Sequence, residues 1–254
     1  MSDDIQFFDA PHGARLAFRR SSGRGPGLVW LGGFRSDMEG GKATALHDWA
    51  QGQGRGFLRF DYRGHGASSG SFEDGAISDW LDDALSVIDG LTDGPQILIG
   101  SSMGAWIALL AALRRPERLA GMLLLAPAPD FTETLMKPNL PEEAREAIAR
   151  DGVWRQPSPY DPEPTPITAR LLEDGAQHCL LTGAPIAIHA PVLILQGMQD
   201  PDVPWRHALT LFEALGGENA RLTLIKDGDH RLSRENDIQM IIETASSLVS
   251  DSQA

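Results

Sequence analysis

The stretch "ILIGSSMGAW", residues 97–106, restricts the fold more than any other in the chain. Its apolar start reads as a buried strand. The run "AWIALLAALRR" reads as a helix, and only Gly-Ser-Ser-Met-Gly stands between them. A chain that turns from strand to helix so abruptly puts the central serine, Ser102, on a strained turn above a sheet edge, facing the helix N-terminus. Gly100 and Gly104 are required there, because side chains at those positions meet the neighbouring strands and the helix. A second match to the same pattern, "GASSG" from Gly66 to Gly70, is centred on Ser68. A strand precedes it, but glycine, serine and acidic residues follow, so its glycines read as a loop. Ser102 is the candidate nucleophile, and Ser101 beside it is expected to point away from the substrate.

Strand and helix patterns alternate around this turn. "IQFFDA", "ARLAFRR", "GLVWLGG", "GFLRFDYRG", "PQILIGS", "LAGMLLLAPA", "APVLILQG" and "ARLTLIKDG" read as strands. "KATALHDWAQGQG", "ISDWLDDALSVIDGL" with its acidic residues on one face, "MGAWIALLAALRR", "WRHALTLFEAL" and "ENDIQMIIETASSLVS" read as helices, and "SSGRGPG" as a short flexible turn. Continuous apolar strands alternating with helices predict a mostly parallel central sheet covered on both faces, an α/β fold. One interval breaks the rhythm. Residues 128–190 are far more than a strand-to-helix connection needs. They are proline-rich and hold helical patches in "PEEAREAIAR" and "ITARLLEDGAQHCLL". Trp154, Tyr160, Leu171, Leu172, Leu180 and Leu181 give this interval apolar groups to pack. It therefore reads as an inserted lid, dividing a core of residues 1–127 and 191–254, with Trp154 the expected apolar contact to substrate.

A serine hydroxyl needs a base, and the base needs an orienting carboxylate. Behind an elbow of this kind the acid follows a late strand and the histidine follows the last one. "PVLILQGMQDPDVPW" offers Asp200 at the first bend off its strand, with Asp202 as the alternative. "RLTLIKDGDHRLSRE" places His230 before the last helix. The expected oxyanion donors are the backbone N–H groups of Met103, next to the nucleophile, and Phe34, after the glycine pair that ends an early strand. His65 reads as a turn or pocket-rim residue, and His12, His47, His178, His189 and His207 as structural. The single cysteine, Cys179, lies in no such elbow and reads as a buried packing residue.

The formal net charge of -13 repels phosphate backbones, so nucleic acid is not an expected partner. No apolar run has the length of a membrane span. The acidic N-terminus lacks the marks of a signal or transit peptide, and one cysteine permits no intrachain disulfide. A cytoplasmic location is the expectation, with a small or acylated substrate.

"LGGFRSDMEGGKA", "FDYRGHGASSG", "DGPQILIGSSMGAW", "GVW" and "PSPY" in the inserted interval, "HCLL", "GMQDPDVPW" and "GDHRL" followed by "DIQ" carry a likeness. Over nearly its whole length the chain resembles the serine α/β-hydrolase superfamily. It is similar in particular to the branch of mitochondrial palmitoyl-protein thioesterases, also described as mycophenolic acid acyl-glucuronide esterases, and their bacterial relatives. The resemblance implies a triad at Ser102, Asp200 and His230, and ester or thioester hydrolysis with no metal or organic cofactor. The mitochondrial members carry a transit segment and this chain starts almost at the domain, which points to a bacterial cytosolic relative. Other chemistry on the same triad, C–C bond hydrolysis or perhydrolysis, shares fold and residues. A haloalkane dehalogenase needs an aspartate at position 102, and an interaction protein on this scaffold is expected to lack a triad member.

Overall fold

The computed structural model describes residues 4–157 and 163–251. Tyr160 and most of "PSPY" lie outside the described residues. Eight strands form one sheet in the order β1 (Gln6–Asp9), β2 (Arg15–Ser21), β4 (Arg55–Phe60), β3 (Arg24–Leu31), β5 (Gln96–Ser101), β6 (Leu119–Leu125), β9 (Val192–Gly197) and β10 (Ala220–Ile225). The pairs β1/β2 and β2/β4 are antiparallel, and all pairs from β4 to β10 are parallel.

The apolar runs are continuous because both faces are covered. Alternate residues of one strand enter two separate cores. Val29, Leu98 and Leu124 pack with α2 (Ile77–Leu91), α3 (Met103–Arg114) and α6 (Trp205–Ala214), through Trp80, Trp106 and Leu211. Leu28, Ile97 and Leu123 pack on the other face with α1 (Gly41–Gly52) and α7 (Glu235–Asp251), through Leu46, Ala50, Ile241 and Leu248. Each fully buried aliphatic side chain of this kind contributes about 1.5–3 kcal/mol.

Three expectations are corrected. "SSGRGPG" is mostly not a turn: Ser21 ends β2, and Arg24 to Gly27 already belong to β3. Asp79, Asp82, Asp83 and Asp89 of α2 do fall on one side of the helix, but that side is not all exposed. Asp82 is exposed, whereas Asp83 is fully buried and takes the Arg63 guanidinium at 2.8 Å and His12 at 3.1 Å. Between β6 and β9, beside α4 (Glu142–Asp151) and α5 (Ala169–Gly175), lies an antiparallel hairpin of β7 (Val153–Gln156) and β8 (Thr165–Thr168). Its second strand takes up the start of what read as a helix, and α5 begins only after Thr168, whose side chain accepts the Leu171 N–H at 3.0 Å. Cys179 is half-buried rather than buried, and burial raises its thiol above the ordinary value, so the thiolate is disfavoured.

Asp130 ties the start of this interval to its end. Buried, at φ 57°, it accepts the Leu180 N–H at 2.8 Å and the Leu181 N–H at 2.7 Å.

Candidate active site

The C-terminal ends of β3, β5, β9 and β10 converge on one cavity of about 580 Å³. Ser102 stands where β5 passes into α3, at φ 55° and ψ −117°. A non-glycine residue held there costs about 1–3 kcal/mol, which the surrounding packing must overcome. The packing is tight: a Cβ on Gly100 would stand 2.5 Å from the Gly104 carbonyl, and one on Gly104 would overlap the Leu31 and Gly32 carbonyl oxygens. The Ser102 N–H donates to the Leu125 carbonyl at 2.9 Å, which anchors the turn to β6.

Ser102 Oγ lies 3.1 Å from His230 Nε2, and His230 Nδ1 lies 2.7 Å from Asp200 Oδ2. The loops bearing the last two residues are packed together. A Cβ on Gly197 would overlap the Gly228 carbonyl, and the Gln199 N–H donates to that carbonyl at 2.9 Å. Asp200 is buried, which by itself raises its carboxyl. The hydrogen bond and charge of His230, the Val203 N–H and the Gln196 amide outweigh burial and hold it below the ordinary value. Its Oδ1 accepts the Asp202 and Val203 N–H groups, each at 2.8 Å. Asp202 is exposed and lines the cavity, but its side chain has no hydrogen bond to His230 among the described residues.

Asp200, Asp202 and His230 are also the one group among the described residues with metal-ligand atoms all within 4.8 Å of one another. A separation of 2.7 Å between Asp200 Oδ2 and His230 Nδ1 is a hydrogen bond and leaves no room for an ion between them.

The loop after β3 lies against the serine. A Cβ on Gly33 would stand 3.3 Å from the Ser101 carbonyl oxygen and 3.5 Å from Ser102 Cβ. Among the described residues neither the Phe34 nor the Met103 N–H has a hydrogen-bond acceptor in the protein. His65, which the sequence assigned to a turn or a rim, holds this loop. Burial pushes its imidazole down to about 4, so it is neutral; Nδ1 faces the Arg63 carbonyl at 3.2 Å, and Nε2 accepts the Arg35 N–H at 3.3 Å. Asp61 holds the loop's far end by accepting the Met38 N–H at 2.7 Å. Neither contact has a local sequence pattern, since each joins residues on different loops.

Ser68 is far from any such arrangement. Its hydroxyl accepts the Ala17 N–H at 2.8 Å and donates to the Asp61 carbonyl at 2.7 Å, a structural use. Ser101 is nearly buried but does line the cavity with Ser102. Trp154 is not among the residues lining the cavity; Met136, Gln156, Thr165 and Ile167 are. Trp154 pairs with Ile167 and Gln156 with Thr165, so all four share one face of the hairpin. Trp154 occupies the end of that face where α4 enters β7.

Sheet order, elbow and the serine–histidine–aspartate line together define a protein of the α/β-hydrolase class. The chain belongs to the alpha/beta hydrolase family, whose model matches residues 12–241. It is 35% identical over 246 residues to "Palmitoyl-protein thioesterase ABHD10, mitochondrial" of Homo sapiens, covering 96% of this chain and 80% of that protein. The structure matches that of a protein from Agrobacterium vitis S4 with a TM-score of 0.93 at 41% identity, over 98% of this chain and 100% of that one. It also matches alpha/beta hydrolase domain-containing protein 10 from mouse with a TM-score of 0.89 at 34% identity, over 98% and 99% of the two chains. Among the described residues no helix is long and apolar enough to cross a membrane.

Proposed function

We propose that the protein hydrolyses carboxylic esters or thioesters through an acyl-enzyme on Ser102. The observation that carries this reading is the continuous line Ser102 Oγ, His230, Asp200, with separations of 3.1 Å and 2.7 Å. Similarity to a palmitoyl-protein thioesterase supports the bond class.

In this mechanism neutral His230 takes the Ser102 proton through Nε2 as Oγ attacks the acyl carbonyl. Asp200 accepts the Nδ1 proton, fixing the tautomer and stabilising the imidazolium that forms. The Phe34 and Met103 N–H groups receive the developing oxyanion, each worth ~3 kcal/mol in the transition state. The Met103 donor stands at the start of α3, where the helix dipole adds to it. His230 then protonates the departing alcohol or thiol, and water repeats the cycle on the acyl-enzyme.

Residues 128–190 act as the lid over this site, between core segments 1–127 and 191–254. Met136, Thr165 and Ile167 from that interval, all lining the Ser102 cavity, form the wall for the acyl chain. Excluding water at that wall strengthens the oxyanion interactions.

The test is a panel of acyl-thioesters, acyl-glucuronides and short 4-nitrophenyl esters, run with the wild type and with Ser102→Ala. Hydrolysis of at least one ester or thioester class, lost in the variant, is the expected result. No turnover of any member by the wild type overturns the reading.

A further inference from the structure

The loop that carries Phe34 is a tight turn. The Ser36 N–H donates to the Gly33 carbonyl at 3.1 Å, and the Ser36 hydroxyl donates to it at 2.8 Å. Phe34 and Arg35 are therefore the two central residues of the turn. Arg35 stands at φ 56°. The second central place of a turn, when left-handed, is ordinarily filled by glycine or asparagine, and a longer side chain there is strained. An arginine kept against that preference points to a use of its side chain.

The side chain reaches across to the inserted interval. Its Nη1 donates to the Pro164 carbonyl at 3.0 Å. Pro164 immediately precedes β8, whose Thr165 and Ile167 line the Ser102 cavity. The guanidinium also lies 5.6 Å from the Phe72 ring centroid, and that ring meets the Phe34 ring edge to face at 4.9 Å. His65 Nε2 fixes the Arg35 backbone on the core side, and Pro164 fixes its side chain on the hairpin side. The turn and the hairpin do not pack solidly together. A cleft of about 320 Å³ lies between them, lined by Arg35, Phe72, Glu73, Arg155, Pro164 and Pro166. Arg155 of β7 joins the hairpin to Glu73 at 2.8 Å, but that pair is exposed and ends outside the Gly33–Ser36 turn. An exposed pair of this kind holds weakly. Of the two arginines, Arg35 is the one seated in the turn itself.

We propose that Arg35 is a positioning residue for hydrolysis: its bond to the Pro164 carbonyl holds the turn, and with it the Phe34 N–H, at the place where the oxyanion forms. The inference rests on the hydrolase reading above and adds a link within it. The strand that walls the acyl chain and the loop that stabilises the transition state are tied by one side chain, so turnover depends on that tie even for a substrate too short to touch the wall.

Steady-state kinetics on 4-nitrophenyl acetate and 4-nitrophenyl octanoate test this with three variants. The acetyl group is too short to use the hairpin wall, so kcat on the acetate reads the oxyanion hole. Arg35→Asn suits the left-handed backbone and loses the reach to Pro164. Because it displaces one oxyanion donor without removing it, it should lower kcat on the acetate about tenfold, with Tm not lowered. KM should stay within about twofold, since the interaction lost belongs to the transition state. Arg35→Lys keeps a donor within reach and should recover part of that loss. Arg155→Met removes the other bridge and should leave kcat on the acetate unchanged. Full kcat in Arg35→Asn overturns the proposal. So does a loss confined to KM on the octanoate, which marks a residue that only fastens the hairpin. An Arg35→Lys protein no better than Arg35→Asn, or an equal loss of kcat in Arg155→Met, overturns it as well. If Arg35→Asn does not fold, Arg35→Gly, which also suits the backbone, is read in its place. Failure of the wild type on both esters counts instead against the hydrolase reading, which keeps the two failures distinct.

Discussion

Gln196 donates from its buried Nε2 to Asp200 Oδ2 at 3.1 Å, the same oxygen that meets His230 Nδ1 at 2.7 Å. That amide also donates to the Gly197 and Val203 carbonyls, at 2.9 Å and 3.1 Å. Gln196 therefore fixes the end of β9 and the carboxylate together. Gln196→Met keeps the volume and removes the donors. A hydrogen bond to a charged group is worth about 1.5–3 kcal/mol. We expect kcat to fall by roughly tenfold, with KM little changed, because a misdirected carboxylate no longer sets the His230 tautomer. Steady-state kinetics beside a melting curve check this; a lowered Tm with full kcat makes Gln196 a packing residue only.

Gly33→Ala separates activity from stability. The added Cβ meets the Ser101 carbonyl at 3.3 Å and Ser102 Cβ at 3.5 Å, close enough to displace the loop by a few tenths of an ångström without breaking the fold. That displacement moves the Phe34 N–H away from the oxyanion position. Since one such donor is worth ~3 kcal/mol, kcat should drop by about 10²-fold while Tm changes by a few degrees. Unchanged kcat removes Phe34 from the proposed oxyanion hole.

How far the sequence can be read is illustrated by β9 and β8. β9 is buried on both faces, so its apolar run is continuous, and both Asp200 and the strand end can be located by inspection. The same holds for β5 and Ser102. β8 is four residues long, starts Thr-Pro, and continues almost at once into α5, so its pattern merges with that of the helix. Residues 21–27 are hard to read for a related reason: glycine and proline mark a turn unless the strand beside them supplies partners, as β4 does for Arg24. Gln196 and His65 leave no signal because their roles depend on neighbours from other elements. Residue type and place in the chain single out Trp154 but do not reveal how far along the hairpin the cavity extends.

Ile167→Ala should shift the preferred acyl-chain length, because Ile167 lines the cavity and the truncation enlarges it. Ile167 is also buried, so stability should fall by about 2–4 kcal/mol. Trp154→Ala should leave the chain-length profile closer to wild type. Profiles on a series of 4-nitrophenyl esters give the comparison; a larger shift from Trp154→Ala returns that residue to the acyl wall.

The lowered Lys42 pKa has a definite sign in stability. Its folded value of about 8 lies below the ordinary 10.5, so between these values the unfolded chain binds more protons than the folded one. Stability attributable to Lys42 therefore rises with pH across that window, and the full cost of the half-buried ammonium is felt below about pH 8. Melting curves of wild type and Lys42→Met from pH 7 to pH 10 should show the difference moving in favour of the wild type as pH rises. A constant difference contradicts the lowered Lys42 pKa.

The central claim is that Ser102 is the acylated nucleophile, and covalent labelling addresses it directly. Wild-type protein treated with a fluorophosphonate should gain the mass of one adduct, and peptide mapping should place it on Ser102. Ser102→Ala should gain none and lose roughly 10⁶-fold in turnover. An adduct on Ser68, or a Ser102→Ala protein that keeps a tenth of wild-type activity, contradicts the account.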